Sequence, residues 1–177
     1  MVLRAVSIAQ PVRELFQGRR FGFSPRAALA FVAVGLGIAL TLTDFMAWFA
    51  WGSKDTNGFV IVSYWLACAL TLIMALALLT TLAEMLDAPE EDRGLARLDL
   101  LAATVACLLY GASAFLRGSD LSVAAAAPAP FLLGIAALLV TFVDAAVAAN
   151  LYSAREWEEL EEEPARDHRP RRRALSR

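Results

Sequence analysis

Histidine is almost missing from this chain of 177 residues, and cysteine is scarce. The single histidine, His168, lies in a charged segment, which argues against bis-histidine haem, imidazole metal clusters and histidine acid–base chemistry within the apolar part. Cys68 and Cys107 lie in separate apolar runs without CxxC spacing, so neither a disulfide framework nor a zinc site is predicted. The sequence also lacks a glycine-rich phosphate loop and a nucleophile elbow. We therefore expect a non-enzymatic protein without a cofactor or a metal.

Charge is missing from one long internal stretch, residues 58–83, which reads GFVIVSYWLACALTLIMALALLTTLA. As a helix this stretch would span ~39 Å at ~1.5 Å per residue, more than the ~30 Å hydrocarbon core of a bilayer. It is apolar on every face, so a soluble protein of this size cannot bury it. A helix also satisfies its own backbone hydrogen bonds, which a bilayer demands. The stretch is predicted to be a transmembrane helix.

Three similar apolar runs accompany this stretch, and 59% of the chain is hydrophobic, with a mean hydropathy of +0.56. Soluble domains contain roughly 45–50% apolar residues. Ser24-Pro25 is typical of a helix start, and polar or Pro-containing segments separate the later runs. We predict an all-α fold, a bundle of four transmembrane helices in residues 25–152. The predicted helices cover about 26–51, 58–84, 95–116 and 131–152.

The two flanking segments have different compositions. Residues 1–24 mix arginines with apolar side chains, and they form either an interfacial amphipathic helix or a disordered basic lead-in. Residues 153–177 begin with a glutamate-rich stretch, predicted to extend the fourth helix to Glu163 before Pro164 ends it, and then become a disordered basic tail. The arginines of both segments are either solvated or bound to lipid headgroups. The candidates for headgroup contacts are Arg19, Arg20, Arg171, Arg172 and Arg173.

The distribution of lysine and arginine predicts the orientation in the membrane. If both termini are cytoplasmic, 14 of these residues lie inside and 2 outside. The positive-inside bias therefore predicts a multi-pass protein with both termini in the cytoplasm. The high Ala, Leu and Arg content is typical of a GC-rich bacterial genome, so the expected location is the bacterial inner membrane. Trp48, Phe49 and Trp51 would then form an aromatic belt at the outer interface.

Two aspartates interrupt the apolar runs, and ionisable groups inside a span are functional candidates. Asp44 and Asp144 each follow a threonine by three residues, Thr41 and Thr141, and each lies on a helix face of small and polar residues. Such faces let helix backbones approach closely, so both aspartates should face other helices and not lipid. Thr104 on the third helix is expected at the depth of Asp144.

The depths of the two aspartates argue against one shared site. Asp44 lies ~26 Å from the cytoplasmic start of the first helix and Asp144 ~20 Å from the outer start of the fourth, which places them roughly 16 Å apart in depth. Lys54, Arg117 and Ser113 are within predicted reach of Asp44. Each aspartate is interpreted as a structural helix–helix contact, as a contact with a partner subunit, or as part of an ion or proton path.

Two more acidic residues, Glu84 and Asp99, lie near the cytoplasmic ends of the second and third helices. Arg93 and Arg97 closely precede Asp99 in the sequence, so the simplest prediction pairs the acidic residues with these two arginines. Cys68 and Cys107 are interpreted as small apolar packing residues.

Three segments resemble a bacterial family of uncharacterised four-helix membrane proteins, a domain of unknown function. They are GLGIALTLTDF (Gly35–Phe45), LLYGASAFLR (Leu108–Arg117) and FLLGIAALL (Phe131–Leu139). The resemblance implies four membrane helices over residues 25–152. The family usually carries His-Pro before its first helix, where this chain has Ser24-Pro25, and a His or Asn early in its third, where this chain has Leu98-Asp99-Leu100. A haem or redox role borrowed from the family would therefore lack its ligand.

The sequence is compatible with two functions. The first is an accessory or structural subunit, or a scaffold, which packs its small-residue faces against partner membrane proteins or against itself. The alternative is a small transporter or channel component that uses Asp44 and Asp144. The expected partners are the lipid bilayer and membrane proteins, with no nucleic acid.

Overall fold

Four helices form the fold, and they are described in a computed structural model that covers residues 25–49, 51, 58–85, 90, 92–119, 121–123 and 127–167, with side chains up to Leu151. Helix α1 is Pro25–Trp48, α2 is Gly58–Met85, α3 is Arg93–Arg117 and α4 is Pro128–Asp167. Each helix packs on its neighbours in the chain, and α1 also packs on α4. The four therefore make a closed ring in which α1 and α3 face each other diagonally. The predicted all-α four-helix bundle is confirmed.

The helix ends follow from local chemistry and differ from the predicted bounds. Proline opens both α1 and α4, where its missing N–H would have no intrahelical partner. For this reason α4 takes in Pro128 and Pro130, which were predicted to lie in a loop. At its other end α4 continues through Pro164 to Asp167 instead of ending there, since an internal proline removes one hydrogen bond but can be accommodated by a kink.

The buried positions recur about every three or four residues along each helix, and on α1 steps of four and three alternate strictly. On α1 they are Arg26, Ala30, Ala33, Gly37, Leu40, Asp44 and Ala47. A strict repeat of this kind averages 3.5 residues per turn and keeps one seam facing the bundle axis, as in left-handed helix bundles. Alanine dominates the interior, and ten buried residues, among them Leu40, Leu70 and Met74, form the main apolar core.

Large apolar side chains lie on the outside of the bundle. Phe31, Leu72, Leu101, Leu108 and Leu139 are each more than half exposed. A soluble protein rarely exposes so continuous an apolar surface, whereas lipid accommodates it and favours small residues between the helices. All four helices are long and apolar enough to cross a membrane, with Pro128–Leu151 as the spanning part of α4. The chain is a four-span membrane protein by these criteria.

Aromatic side chains gather where α1 ends and α4 begins. Trp48, Phe49 and Trp51 are 49%, 69% and 67% exposed, as expected of side chains in an aromatic belt. Phe131 at the start of α4 packs against Phe45 and Trp48, with ring centroids 5.4 and 5.2 Å apart. These contacts join α1 to α4 at the membrane boundary.

Gly37 is required by the close approach of α1 to α3 and α4. A Cβ atom on Gly37 would lie 2.6 Å from the Tyr110 hydroxyl oxygen and 2.8 Å from Leu138 Cδ1, whereas one on Gly35 would meet nothing within 4 Å. We expect Gly37→Ala to lower the free energy of unfolding by about 1–3 kcal/mol, because both neighbours must move. Denaturation in detergent micelles measures the change.

Gly35→Ala is the matched control, since it adds the same methyl group to the same helix in open space and should raise stability by about 0.5–1 kcal/mol, the helix preference of alanine over glycine. In the Gly37→Ala background, Tyr110→Phe should recover part of the loss by removing the hydroxyl. Equal effects of the two alanine substitutions would contradict the proposed close approach.

Candidate functional site

The first polar cluster lies at the end of the bundle where α1 and α3 finish, and we call it the Arg117 layer. It consists of Asp44, Ser63, Ser113, Arg117 and the carbonyl of Pro130. The guanidinium binds the Asp44 carboxylate through two parallel hydrogen bonds, from Nη1 to Oδ1 and from Nη2 to Oδ2, both 2.6 Å long. Such a bidentate pair fixes the orientation of both groups.

Every donor of Arg117 is used. Its Nη1 also donates to Ser63 Oγ at 3.0 Å, its Nη2 to the Pro130 carbonyl at 3.1 Å, and its Nε to Ser113 Oγ at 3.1 Å. A guanidinium has five N–H groups, and the five bonds account for all of them. One positive and one negative charge are therefore buried together with their hydrogen bonds complete, and they connect all four helices.

The second cluster lies at the opposite end, where α1 and α3 begin, and we call it the Arg26 layer. It consists of Arg26, Thr81, Asp99 and Asp144, one residue from each helix. Arg26 donates to Asp99 from Nε at 3.0 Å and from Nη2 at 2.6 Å, and its Nη2 also contacts Asp144 Oδ1. Thr81 donates its hydroxyl to Asp99 Oδ2 at 3.0 Å. All four residues are buried.

The Arg26 layer is less complete than the Arg117 layer. Among the described residues, neither Arg26 Nη1 nor Asp144 Oδ2 has a hydrogen-bond partner, although both atoms are buried. Buried polar atoms in proteins have a hydrogen-bond partner in the great majority of cases, so these two atoms require an explanation. The layer also holds two carboxylates for one guanidinium.

The two layers are related by a simple spacing. Eighteen residues separate Arg26 from Asp44 on α1, and eighteen separate Asp99 from Arg117 on α3. This distance is five helical turns, so both charges of a helix lie on one face, roughly 27 Å apart along the axis. The signs are reversed between the helices, so each arginine meets an aspartate of the other helix across the bundle. Two parallel helices are thus held in register at both ends.

Apolar and small residues fill the space between the layers, with one polar contact among them. The hydroxyl of Tyr110 lies 3.4 Å from Thr141 Oγ1, which itself donates to the Ala137 carbonyl at 2.8 Å. Tyr110, Leu40, Leu70 and Met74 are all fully buried here. The two charged layers are therefore separated by a packed interior.

The predicted polar residues form contacts within the bundle. Asp44 pairs with Arg117 and Asp144 with Arg26, in different layers. Thr41 and Thr104 donate to carbonyls of their own helices, those of Gly37 and Leu100, and so does Thr141. The small-residue faces of α1 and α4 pack inside the bundle, so they are not available for partner proteins.

The pairing predicted for Asp99 was wrong. Asp99 faces inward and binds Arg26 and Thr81, whereas Arg93 contacts Glu90 at the surface and Arg97 is exposed. Arg26 was counted only as one of the cytoplasmic positive charges, and its role was missed. Cys68 and Cys107 are half-buried against the apolar core, as packing residues are.

Other predictions concern residues that the structure does not describe. The lipid-headgroup candidates Arg19, Arg20 and those at 171–173 lie outside the described residues, as do Lys54 and the segment 1–24. Within the described ranges, no group of three or more His, Cys, Asp or Glu side chains could hold a metal ion.

No protein-family model, curated protein or solved structure matches the chain. The resemblance to uncharacterised four-helix membrane proteins therefore stays a prediction.

Proposed function

We propose that this four-span protein is a non-enzymatic accessory or structural subunit, or a scaffold, of a membrane assembly. The observation that supports the proposal is that both intramembrane aspartates are engaged in contacts with arginines of other helices. Asp44 pairs with Arg117 across the bundle, and Asp144 contacts Arg26 of the neighbouring helix α1. All four helices contribute to both layers. Groups that are engaged in this way hold helices together, which is the role of a rigid framework.

We infer that the partner contact involves the projecting part of α4. This helix continues for 16 residues beyond Leu151, where its membrane-spanning part ends. Six glutamates fall within residues 156–163 of this extension. An isolated helix of this length is only marginally stable in water, so a partner with a basic surface would both stabilise and recognise it.

The proposed orientation places both termini and the Arg26 layer on the cytoplasmic side. It rests on the positive-inside bias of the sequence and on the aromatic side chains at the opposite end of the bundle. A reporter enzyme that is active only in the cytoplasm, fused after residue 177, tests this orientation. Activity only with a periplasmic reporter would reverse it.

The experiment for the proposed function is affinity purification from native membranes of the full chain and of a chain truncated after Tyr152. We expect a stoichiometric membrane partner with the full chain and its loss after truncation. Unchanged melting of the truncated chain in detergent shows that the bundle itself is intact. Purification of the full chain without any partner, under conditions that preserve other membrane complexes, would refute the proposal.

A transporter or channel component is the second candidate, and one observation favours it. The Arg26 layer contains buried polar atoms without partners among the described residues, a feature seen at ion pathways as well as at structural sites. The packed interior between the layers weighs against a continuous path. In proteoliposomes with a pH-sensitive dye inside, proton flux above that of empty vesicles, removed by Asp144→Asn, would favour transport over the structural role.

A further inference from the structure

The two charged layers differ in their charge balance. The Arg117 layer holds one guanidinium and one carboxylate, whereas the Arg26 layer holds one guanidinium and two carboxylates. Fully ionised, the Arg26 layer would carry a net charge of −1 in a part of the bundle where its side chains are at most 3% exposed. An uncompensated buried charge costs several kcal/mol, and proteins relieve it by pairing or by neutralisation.

Each of the other three helices contributes one group to the layer that contains Asp144. Arg26 comes from α1, Thr81 from α2 and Asp99 from α3, and the Arg26 guanidinium is the cation in contact. On α4 itself Thr141 precedes Asp144 by one turn and lies beside Tyr110 of α3.

Among the described residues, the next charged side chains at this end of the bundle lie farther out. Glu84 follows Thr81 by three residues on α2 and is half-buried, and Arg97 precedes Asp99 on α3 and is exposed. Both lie nearer the helix ends than the Arg26 layer does, so the charge balance within the layer is set by Arg26, Asp99 and Asp144.

The two carboxylates of the layer are not equivalent. Asp99 accepts three hydrogen bonds on its two oxygens, two from Arg26 and one from Thr81. Asp144 accepts one bond at Oδ1, and its Oδ2 has no partner among the described residues. Since hydrogen bonds from donors stabilise the ionised form of a carboxyl group, Asp144 is the better place for a proton.

We propose that the Arg26 layer is a proton-binding site, in which Asp144 carries one proton and exchanges it with the aqueous phase beside the start of α1. An O–H bond forms at the Asp144 carboxylate with a proton from hydronium, which leaves as water, and the net charge of the layer changes from −1 to zero. Arg26 is the second residue of α1 and Thr81 lies four residues before the end of α2, so the layer is close to that surface.

A metal cation fits this layer less well than a proton does. The Arg26 guanidinium contacts both carboxylates and would repel a second cation, and the described residues at this end lack the larger group of oxygen ligands that a metal ion takes. A proton needs one free oxygen, which Asp144 Oδ2 provides. The proton site does not depend on the proposed subunit role, because it requires no partner protein.

Infrared spectroscopy of the purified full chain in lipid is the test, with spectra recorded as the pH is raised. We expect a carbonyl band of a protonated, buried carboxyl group that disappears as the proton leaves, and we expect Asp144→Asn to lack this band. Glu90→Gln is the control, because it removes a carboxyl group that is 88% exposed and should leave the band unchanged.

Melting in detergent gives a second readout. The folded chain holds a proton on Asp144 that the unfolded chain releases at the same pH, so stability should fall as the pH is raised until Asp144 is ionised in the folded chain as well. The wild-type melting temperature should drop by several degrees over this rise in pH, and that of Asp144→Asn should stay level because its amide is neutral throughout. A band that persists in Asp144→Asn, or its absence from the wild type at every pH, would overturn the proposal.

Discussion

Replacing Arg26 with methionine is expected to destabilise the protein more than any other single substitution considered for this bundle. Arg26 is the cation in contact with both Asp99 and Asp144, and all three groups are almost fully buried. Its removal leaves the carboxyl groups of Asp99 and Asp144 buried side by side without a cation, and breaking even one buried pair typically costs about 3–5 kcal/mol. We expect a loss of at least this size in the free energy of unfolding, measured with denaturant in detergent micelles.

A reduction of charge should reverse much of this loss. The triple variant Arg26→Met, Asp99→Asn, Asp144→Asn contains no buried charge in the layer, so it should be markedly more stable than Arg26→Met alone. Lower pH should also partly rescue the single variant, since protonation neutralises the carboxylates. Arg97→Met, an exposed arginine on the same end of α3, is the matched control and should change stability by about 0.5 kcal/mol or less. Equal effects of Arg26→Met and Arg97→Met would show that the layer is not holding the helices.

The second large loss in the free energy of unfolding is expected for substitutions of Arg117. Here the number and direction of the N–H donors contribute to stability as well as the charge. Arg117→Met leaves Asp44 buried without its cation, at an expected cost of about 3–5 kcal/mol. Arg117→Lys keeps the positive charge but provides three donors from one point in place of a planar fork of five. It should therefore lose less than Arg117→Met and still be clearly below the wild type.

The double variant Asp44→Leu, Arg117→Met tests whether the two residues stabilise the protein as a pair or independently of each other. Replacing a buried ion pair with apolar residues of similar volume is often close to neutral, so the double variant should be more stable than Arg117→Met. Arg93→Met is the control, because Arg93 and its partner Glu90 are 54% and 88% exposed and such surface pairs contribute about 0–1 kcal/mol. Additive losses in the double variant would contradict direct coupling between Asp44 and Arg117.

The helices of this protein were predictable because the length and apolar composition of each segment indicate a membrane helix without reference to the other segments. An uncharged run such as residues 58–83 is long enough to cross a bilayer whatever its neighbours are. Helix ends were less predictable, because Pro128 and Pro164 are compatible with more than one local structure. The inward face of α1 was also predictable, since its small residues recur at helical spacing through Asp44.

The partners of the charged residues were harder to predict, since they depend on how helices distant in sequence are arranged. Asp99 was assigned to nearby arginines, but its partner Arg26 is 73 residues away. The depth estimate separated Asp44 from Asp144 correctly into different parts of the bundle, yet it identified no cation for Asp144. A usable signal was present in the equal spacing of opposite charges on the first and third helices, which indicates two parallel helices with matching charges.

The separation of 73 residues between each arginine and its aspartate also bears on how the protein is made. At a synthesis rate of about 5–20 residues per second, α1 waits roughly 4–15 s before the matching part of α3 leaves the ribosome. During this time Arg26 and Asp44 have no partner from α3, so α1 enters the bilayer with one charge near each boundary. The arrival of α3 neutralises both charges at once. Integration of the first span is thus completed by the third, and a nascent chain that ends before Asp99 should be held by the insertion machinery rather than released into lipid.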